Sequence, residues 1–198
     1  MKINEMFSSL QGEGMYNGFP VIFLRLSKCT RACSYCDTKY HKNGVETNIN
    51  ELIRKIKKFR RKTIVWTGGE PTLQIGEIYT VIKLLGKDYI HHIETNGDMI
   101  VNYDYFDYVC FSPKDEKTAK DIYECVYDNL NFDIKVVTDL KINKKLIKYA
   151  TMLMPLTTNN KKKDFETKQK VWNYCNKNNY KYSPRLHVDV WGTKKRKI

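Results

Sequence analysis

The sequence predicts an α/β fold with a mostly parallel sheet, a barrel or partial barrel, on three observations. Short apolar runs of strand length alternate with segments of helical periodicity. Five of the runs end directly in polar or glycine-rich loops, where parallel α/β folds collect their sites. The chain has 198 residues and 41% hydrophobic content, enough for one sizeable core. No internal repeat or Pro/Ser-rich linker divides it, so a single domain over 1–198 is expected.

Taken in order, Val21–Leu26 (VIFLRL) reads as a buried strand leading into a cysteine-rich loop. Ile49, Leu52, Ile53, Ile56 and Phe59 share one helical face, with Asn48 or Thr47 available as N-cap. Thr63–Thr67 is a strand ending in Gly68-Gly69-Glu70-Pro71, and Ile78–Leu85 is helical. Ile90–Thr95 is a strand stopped by Asn96-Gly97, and Tyr108–Phe111 one stopped by Ser112-Pro113. Phe132–Val137 and Thr151–Met154 follow as strands, with a helix expected at Leu140–Tyr149 between them and a Met154-Pro155-Leu156 turn after them. Asp164–Asn178 is a late helix, and Tyr182–Trp191 is expected to be extended.

No apolar run approaches membrane-spanning length, and Met1-Lys2-Ile3-Asn4-Glu5 lacks a signal-peptide hydrophobic region. A cytoplasmic protein without membrane association is expected, its six cysteines thiols or metal ligands. The formal net charge of +13 is scattered over helical segments rather than built into a nucleic-acid motif, so no nucleic-acid partner is expected. Lys161-Lys162-Lys163 and Lys194-Lys195-Arg196-Lys197 read as a solvated loop and a tail. Docking of an acidic electron donor is another use for such charge.

Cys29, Cys33 and Cys36 form C-x3-C-x2-C with no fourth cysteine nearby. Structural zinc and ordinary iron–sulfur clusters take four protein ligands. Three thiolates on a four-iron cube leave one iron open to a small molecule; a zinc site completed by His41 or a distant cysteine is the alternative. Cys110, Cys125 and Cys175 lie singly in apolar or helical contexts and read as small buried hydrophobes. Gly68-Gly69-Glu70-Pro71 permits close backbone approach, and Glu70 can accept from an ammonium; alone the motif is also an ordinary turn.

The cysteine triplet followed by GGEP resembles the radical S-adenosylmethionine (SAM) superfamily. The resemblance implies a partial, reduced (β/α)6 TIM-like barrel of the radical SAM type and a 4Fe-4S cluster on Cys29, Cys33 and Cys36. It also implies SAM on the open iron, cleaved by one electron to a 5'-deoxyadenosyl radical. Within the superfamily, Glu5-Met6-Phe7-Ser8-Ser9-Leu10-Gln11-Gly12-Glu13-Gly14 resembles the opening of the 7-carboxy-7-deazaguanine synthase family. Arg25, Cys36-Asp37-Thr38, Thr67-Gly68-Gly69-Glu70-Pro71, Glu94-Thr95-Asn96-Gly97, Ser112-Pro113-Lys114 and Tyr182-Ser183-Pro184-Arg185-Leu186-His187 with Trp191 follow in that family's order.

That family resemblance implies Mg2+-dependent ring contraction of 6-carboxy-5,6,7,8-tetrahydropterin to 7-carboxy-7-deazaguanine, in queuosine and 7-deazapurine biosynthesis. A hydrogen is abstracted from C6, ammonia is lost, and SAM is regenerated. Carried over residue by residue, it assigns Tyr35, Cys36, Asp37, Gly69, Glu70, Ser112, Pro113 and Lys114 to SAM and Thr38 to Mg2+. Leu10, Gln11, Gly12, Glu13, Arg25, Thr67 and His187 are assigned to substrate. Arg25 has the planar fork that pairs with a carboxylate, although a salt bridge within the fold is its other role. Gln11 and Glu13 also fit a polar turn, Thr38 a helix cap, and His187 a structural role. The consecutive His91 and His92 face opposite ways in a strand and receive no role. The family further implies a homodimer and a flavodoxin- or ferredoxin-like reductant. A glycyl-radical-enzyme activase shares the small size and CxxxCxxC, and a basic zinc-binding nucleic-acid module is a reading from another class.

Overall fold

A computed structural model describes residues 1–33, 36, 43–125, 130–158 and 160–193. The described residues form two compact units, the first drawn from 1–9 and 20–109, the second from 10–19 and 110–193. No helix among the described residues is long and apolar enough to cross a membrane.

In the first unit the strands β1 (Lys2–Leu10), β2 (Pro20–Leu26), β3 (Val45–Glu46), β4 (Thr63–Gly68) and β5 (Ile90–Thr95) lie in the order β3-β1-β2-β4-β5. β2, β4 and β5 are parallel, and β3 runs antiparallel to β1 as a two-residue edge. Central parallel strands are covered on both faces and read as unbroken apolar runs. Accordingly Val21, Ile22, Leu24 and Leu26 of β2 and Ile64, Val65 and Trp66 of β4 are wholly buried. Helix α1 (Ile49–Lys57) buries Leu52, Ile53 and Ile56, one face at helical spacing. Its Asn48 cap accepts from the Asn50 N–H at 2.9 Å, satisfying a donor the helix leaves open. α2 (Ile75–Leu85) packs against α1 and buries Ile78, Val81 and Leu85.

β6 (Tyr108–Phe111) straddles the division between the units. In the second unit β7 (Phe132–Thr138), β8 (Met152–Pro155) and β9 (Lys181–Tyr182) are parallel, with β9 the short edge. α3 (Glu116–Cys125) buries Ala119 and Ile122, while α4 (Lys161–Asn178) buries Thr167, Val171 and Cys175, one residue every helical turn. The chain is thus the expected α/β fold of mostly parallel strands, with each unit's sheet open.

Four local expectations are corrected. Leu140–Tyr149 is not a helix throughout: a turn precedes a 3-10 helix at Lys144–Tyr149. The Asp139 carboxylate accepts from the Lys141 and Ile142 N–H groups, and Thr138 Oγ1 from that of Leu140. Such side-chain bonds compete with helix, and Leu140 and Asn143 take left-handed backbone with φ of 72° and 55°. Tyr182–Trp191 is not extended: after β9 it closes into α5 (Leu186–Trp191), whose alternating valines imitate a strand. Lys161-Lys162-Lys163 opens α4 rather than a loop, because Asn160 caps the helix by accepting from the Lys163 N–H at 3.0 Å. Cys125 is exposed, while Cys110 and Cys175 are buried as expected. Strands β1 and β3 and helix α3 were not apparent from periodicity. The lysine-rich tail lies outside the described residues.

Candidate active site

β2 delivers the chain into the cysteine loop through Lys28, which has a φ of 72°. Cys29, Cys33 and Cys36 are partly exposed free thiols. The Arg31 N–H donates to Cys29 Sγ at 3.4 Å, and the Cys36 N–H to the Cys33 carbonyl at 3.2 Å. Burial pushes the Cys29 thiol up against the opposing Arg31 N–H, and the charges of Glu70, Cys36 and Asp98 add to the rise. Among the described residues no three His, Cys, Asp or Glu side chains form a ready-made metal cage. The donor set fits an iron–sulfur group nonetheless: three soft sulfurs on one loop, one already receiving a backbone N–H of the kind that tunes such clusters. Tyr35, Asp37, Thr38 and His41 lie outside the described residues.

At the end of β4 the glycines are required by proximity. Gly68 has a φ of 111°, and a Cβ there would overlap Leu26 backbone; one at Gly69 would overlap the Lys28 carbonyl. The bare backbone instead lets Gly69 N–H reach Leu26 O at 2.9 Å and Glu70 N–H reach Lys28 O at 2.8 Å. The GGEP turn is thereby stitched to the residues that open the cysteine loop. Glu70 is fully buried. Its Oε1 accepts from Thr72 N–H (3.1 Å), Thr72 Oγ1 (2.6 Å) and Thr95 Oγ1 (2.7 Å), and its Oε2 from Asn96 N–H (2.8 Å). These four donors are uncharged, so an ammonium beside Glu70 would gain from a buried carboxylate.

Register brings Arg25 of β2 beside Thr67 of β4, and β4 pairs in parallel with β5. Thr67 Oγ1 donates to Glu94 Oε2 at 2.8 Å. Arg25 pairs with buried Glu5 at 3.4 Å and lies over the Phe7 ring, 5.1 Å from its centroid. The guanidinium is thus held at the ends of adjacent strands, with a quarter of its side chain exposed.

In the second unit, Lys114 Nζ donates to Ser112 Oγ at 2.8 Å directly after β6, and Pro113 is buried. The QGEG turn follows exposed Leu10 and closes on itself. Gln11 N–H reaches Phe19 O at 2.8 Å, and Gln11 Oε1 accepts from the Glu13 N–H at 3.2 Å. The Gly12 carbonyl accepts from Leu186 N–H at 2.8 Å, and a Cβ at Gly12 would overlap the His187 ring. Gly14 N–H donates to wholly buried Ser183 at 2.8 Å. Glu13 is clamped between two cations, Oε2 to Lys135 Nζ at 2.7 Å and Oε1 to Arg185 Nε at 3.1 Å. Burial raises the Glu13 carboxyl, but Lys135, Arg185 and His187 overturn this and hold it well below the usual carboxylate range. Gln11, Gly12, Glu13 and His187 therefore converge as one cluster. Lys135 and Arg185 belong to it although sequence reasoning gave them no role. A lysine inside the buried run Phe132–Thr138 was the signal for the first.

Residues 25–181 match the model of the radical SAM superfamily. The chain is 38% identical over 138 residues to a 7-carboxy-7-deazaguanine synthase of Bacteroides thetaiotaomicron, covering 67% of this chain and 74% of that protein. It is 36% identical to one of Neisseria meningitidis, covering 70% and 63% respectively. It is 28% identical to one of Pyrobaculum aerophilum over 97% of this chain and 95% of that one. The aligned region spans less than two thirds of the Neisseria meningitidis and Haemophilus influenzae relatives, at 63% and 58% of their lengths. The crystal structure of QueE from Escherichia coli superposes with a TM-score of 0.68 over 94% of each chain at 22% identity, a likeness of fold. The chain therefore belongs to the radical SAM superfamily and, within it, to the family of 7-carboxy-7-deazaguanine synthases.

Proposed function

We propose that this chain is a carbon–nitrogen lyase. It contracts 6-carboxy-5,6,7,8-tetrahydropterin to 7-carboxy-7-deazaguanine with loss of one ammonia, for queuosine and 7-deazapurine biosynthesis. The observation that carries the reading is the family match running from Arg25 through the cysteine loop and Glu70 to the last strand. Cys29, Cys33 and Cys36 hold a 4Fe-4S cluster that, when bound, supplies the electron for SAM cleavage. Gly69 backbone and the Glu70 carboxylate receive the SAM ammonium, a role supported by the burial of Glu70 among neutral donors. Ser112, Pro113 and Lys114, with Tyr35, Cys36 and Asp37, complete the SAM set, and Thr38 offers Mg2+ a hard oxygen.

Arg25 receives the substrate carboxylate by exchanging its long 3.4 Å pairing with Glu5 for a bidentate one. Thr67 adds a hydroxyl already oriented by Glu94. Leu10, Gln11, Gly12, Glu13 and His187 take the pterin. With its proton gone, Glu13 is an acceptor only and suits the N–H donor edge of that ring. Residues 1–198 work as one cytoplasmic radical SAM domain, paired as a homodimer, with a net charge of +13 that suits an acidic flavodoxin- or ferredoxin-like reductant.

Anaerobically reconstituted protein given reductant, SAM and Mg2+ should convert the tetrahydropterin to the deazapurine, with SAM undepleted. Absence of that product would overturn the assignment. Omitting Mg2+ tests the ion, and light scattering tests the dimer.

A further inference from the structure

We propose that Asn96 and Asp98 are positioning residues that hold the cysteine loop in register with Glu70 before any metal arrives. The inference rests on the reading above for the roles of Cys29 and Glu70, but the observations are geometric. Asn96 reaches in two directions. Its backbone N–H donates to Glu70 Oε2 at 2.8 Å, and its side-chain Nδ2 donates to Thr30 Oγ1 at 2.8 Å. The side-chain Oδ1 also accepts the Asp98 N–H at 2.9 Å, which fixes the turn after β5. Asp98 then takes three donors from two consecutive loop residues: Thr30 Oγ1 at 2.6 Å and Arg31 Nε at 2.7 Å on Oδ2, and Arg31 Nη2 at 2.5 Å on Oδ1. Arg31 in turn gives its backbone N–H to Cys29 Sγ. An unbroken chain of hydrogen bonds thus leads from the Glu70 carboxylate to the Cys29 sulfur.

The pattern exceeds what a stray surface ion pair supplies. Exposed pairs of one arginine and one carboxylate contribute little and fix little. Here the fork is bidentate, a threonine shares it, and the Asp98 side chain is only 13% exposed. The two residues gripped are the first two between Cys29 and Cys33, where a loop must be aimed if its sulfurs are to meet a cluster beside Glu70. A pre-aimed loop loses less conformational entropy when its ligands are ordered.

The test is hydrogen exchange of the metal-free protein, read on amides 29–33, in Asn96→Ala, Thr30→Val and Asp98→Ala variants. Each variant should exchange about tenfold faster there, the scale of losing a charge-assisted or buried hydrogen bond, with β2, β4 and β7 unchanged. Asp98→Glu should restore part of the protection. After reconstitution the variants should keep iron but show a weakened SAM-induced change in the electron paramagnetic resonance spectrum of the reduced cluster. Unchanged exchange at 29–33 in Asn96→Ala and Thr30→Val would overturn the proposal. So would a rise spread evenly over the first unit. Should Asp98→Ala fail to fold, the other two variants decide. If wild-type protein makes no deazapurine but the loop still loosens, the proposed reaction falls and the latch stands.

Discussion

Lys135→Met severs one arm of the Glu13 clamp. Lys135 and Glu13 side chains are 6% and 16% exposed and meet at 2.7 Å, so the pair is largely withdrawn from water. Removing one partner of a buried pair costs about 3–5 kcal/mol, because the other charge is left without compensation. Arg185 remains on Glu13 Oε1, which places the loss near the lower end, about 3 kcal/mol. For a chain of this size each kcal/mol moves Tm by about 2–4 °C, so a fall of about 6–12 °C is expected. The assay is thermal and urea unfolding of metal-free protein at pH 7. Adding Glu13→Gln should recover part of the loss, with a coupling of at least about 1.5 kcal/mol. The pH dependence has a definite sign. Glu13 is held well below its ordinary range, so its contribution is complete above that range and disappears as pH falls through the folded value. The gap between wild type and Lys135→Met should therefore narrow in strong acid. A Tm within about 1 °C of wild type, or strictly additive mutants, would refute the clamp.

Gly69→Ala forces a methyl into the Lys28 carbonyl and should lose at least about 2 kcal/mol in urea unfolding, together with iron uptake. An unchanged midpoint would refute the required close approach. Burial holds His91 and His92 neutral down to about pH 4, with Asp107 opposing the effect at both and His92 adding to it at His91. As pH falls from 6.5 toward 4 the unfolded chain binds protons the folded chain refuses, so each histidine should remove up to about 3 kcal/mol of stability. Urea midpoints at pH 7, 6 and 5 check this, and His92→Phe should flatten the slope. Glu70→Gln brings a donor amide among four donors and should cost about 1–3 kcal/mol while weakening SAM binding measured by calorimetry.

What the sequence reveals follows from the range of the forces involved. The buried central strands are legible because each is an apolar run closed by turn residues. β1 hides because Asn4, Glu5, Ser8 and Ser9 interrupt it, although Glu5 is buried against Arg25. The turn at Leu140 hides because Asp139 and Thr138 capture backbone N–H groups that periodicity assigns to a helix. In the site, the cysteine spacing and GGEP are local chemistry and can be read directly. The anchors of Glu13 lie 122 and 172 residues away, and only folding brings them together. The grip of Asp98 on Arg31, 67 residues apart, hides for the same reason.

The central claim is most directly tested with tetrahydropterin substrate deuterated at C6, incubated anaerobically with reconstituted protein, SAM, Mg2+ and reductant. The account predicts 7-carboxy-7-deazaguanine with deuterium carried into the adenosyl carbon of recovered SAM. Deazapurine formation without label transfer would contradict the radical route. Protein that binds one zinc, holds no iron or sulfide, and leaves the substrate intact would contradict the account as a whole.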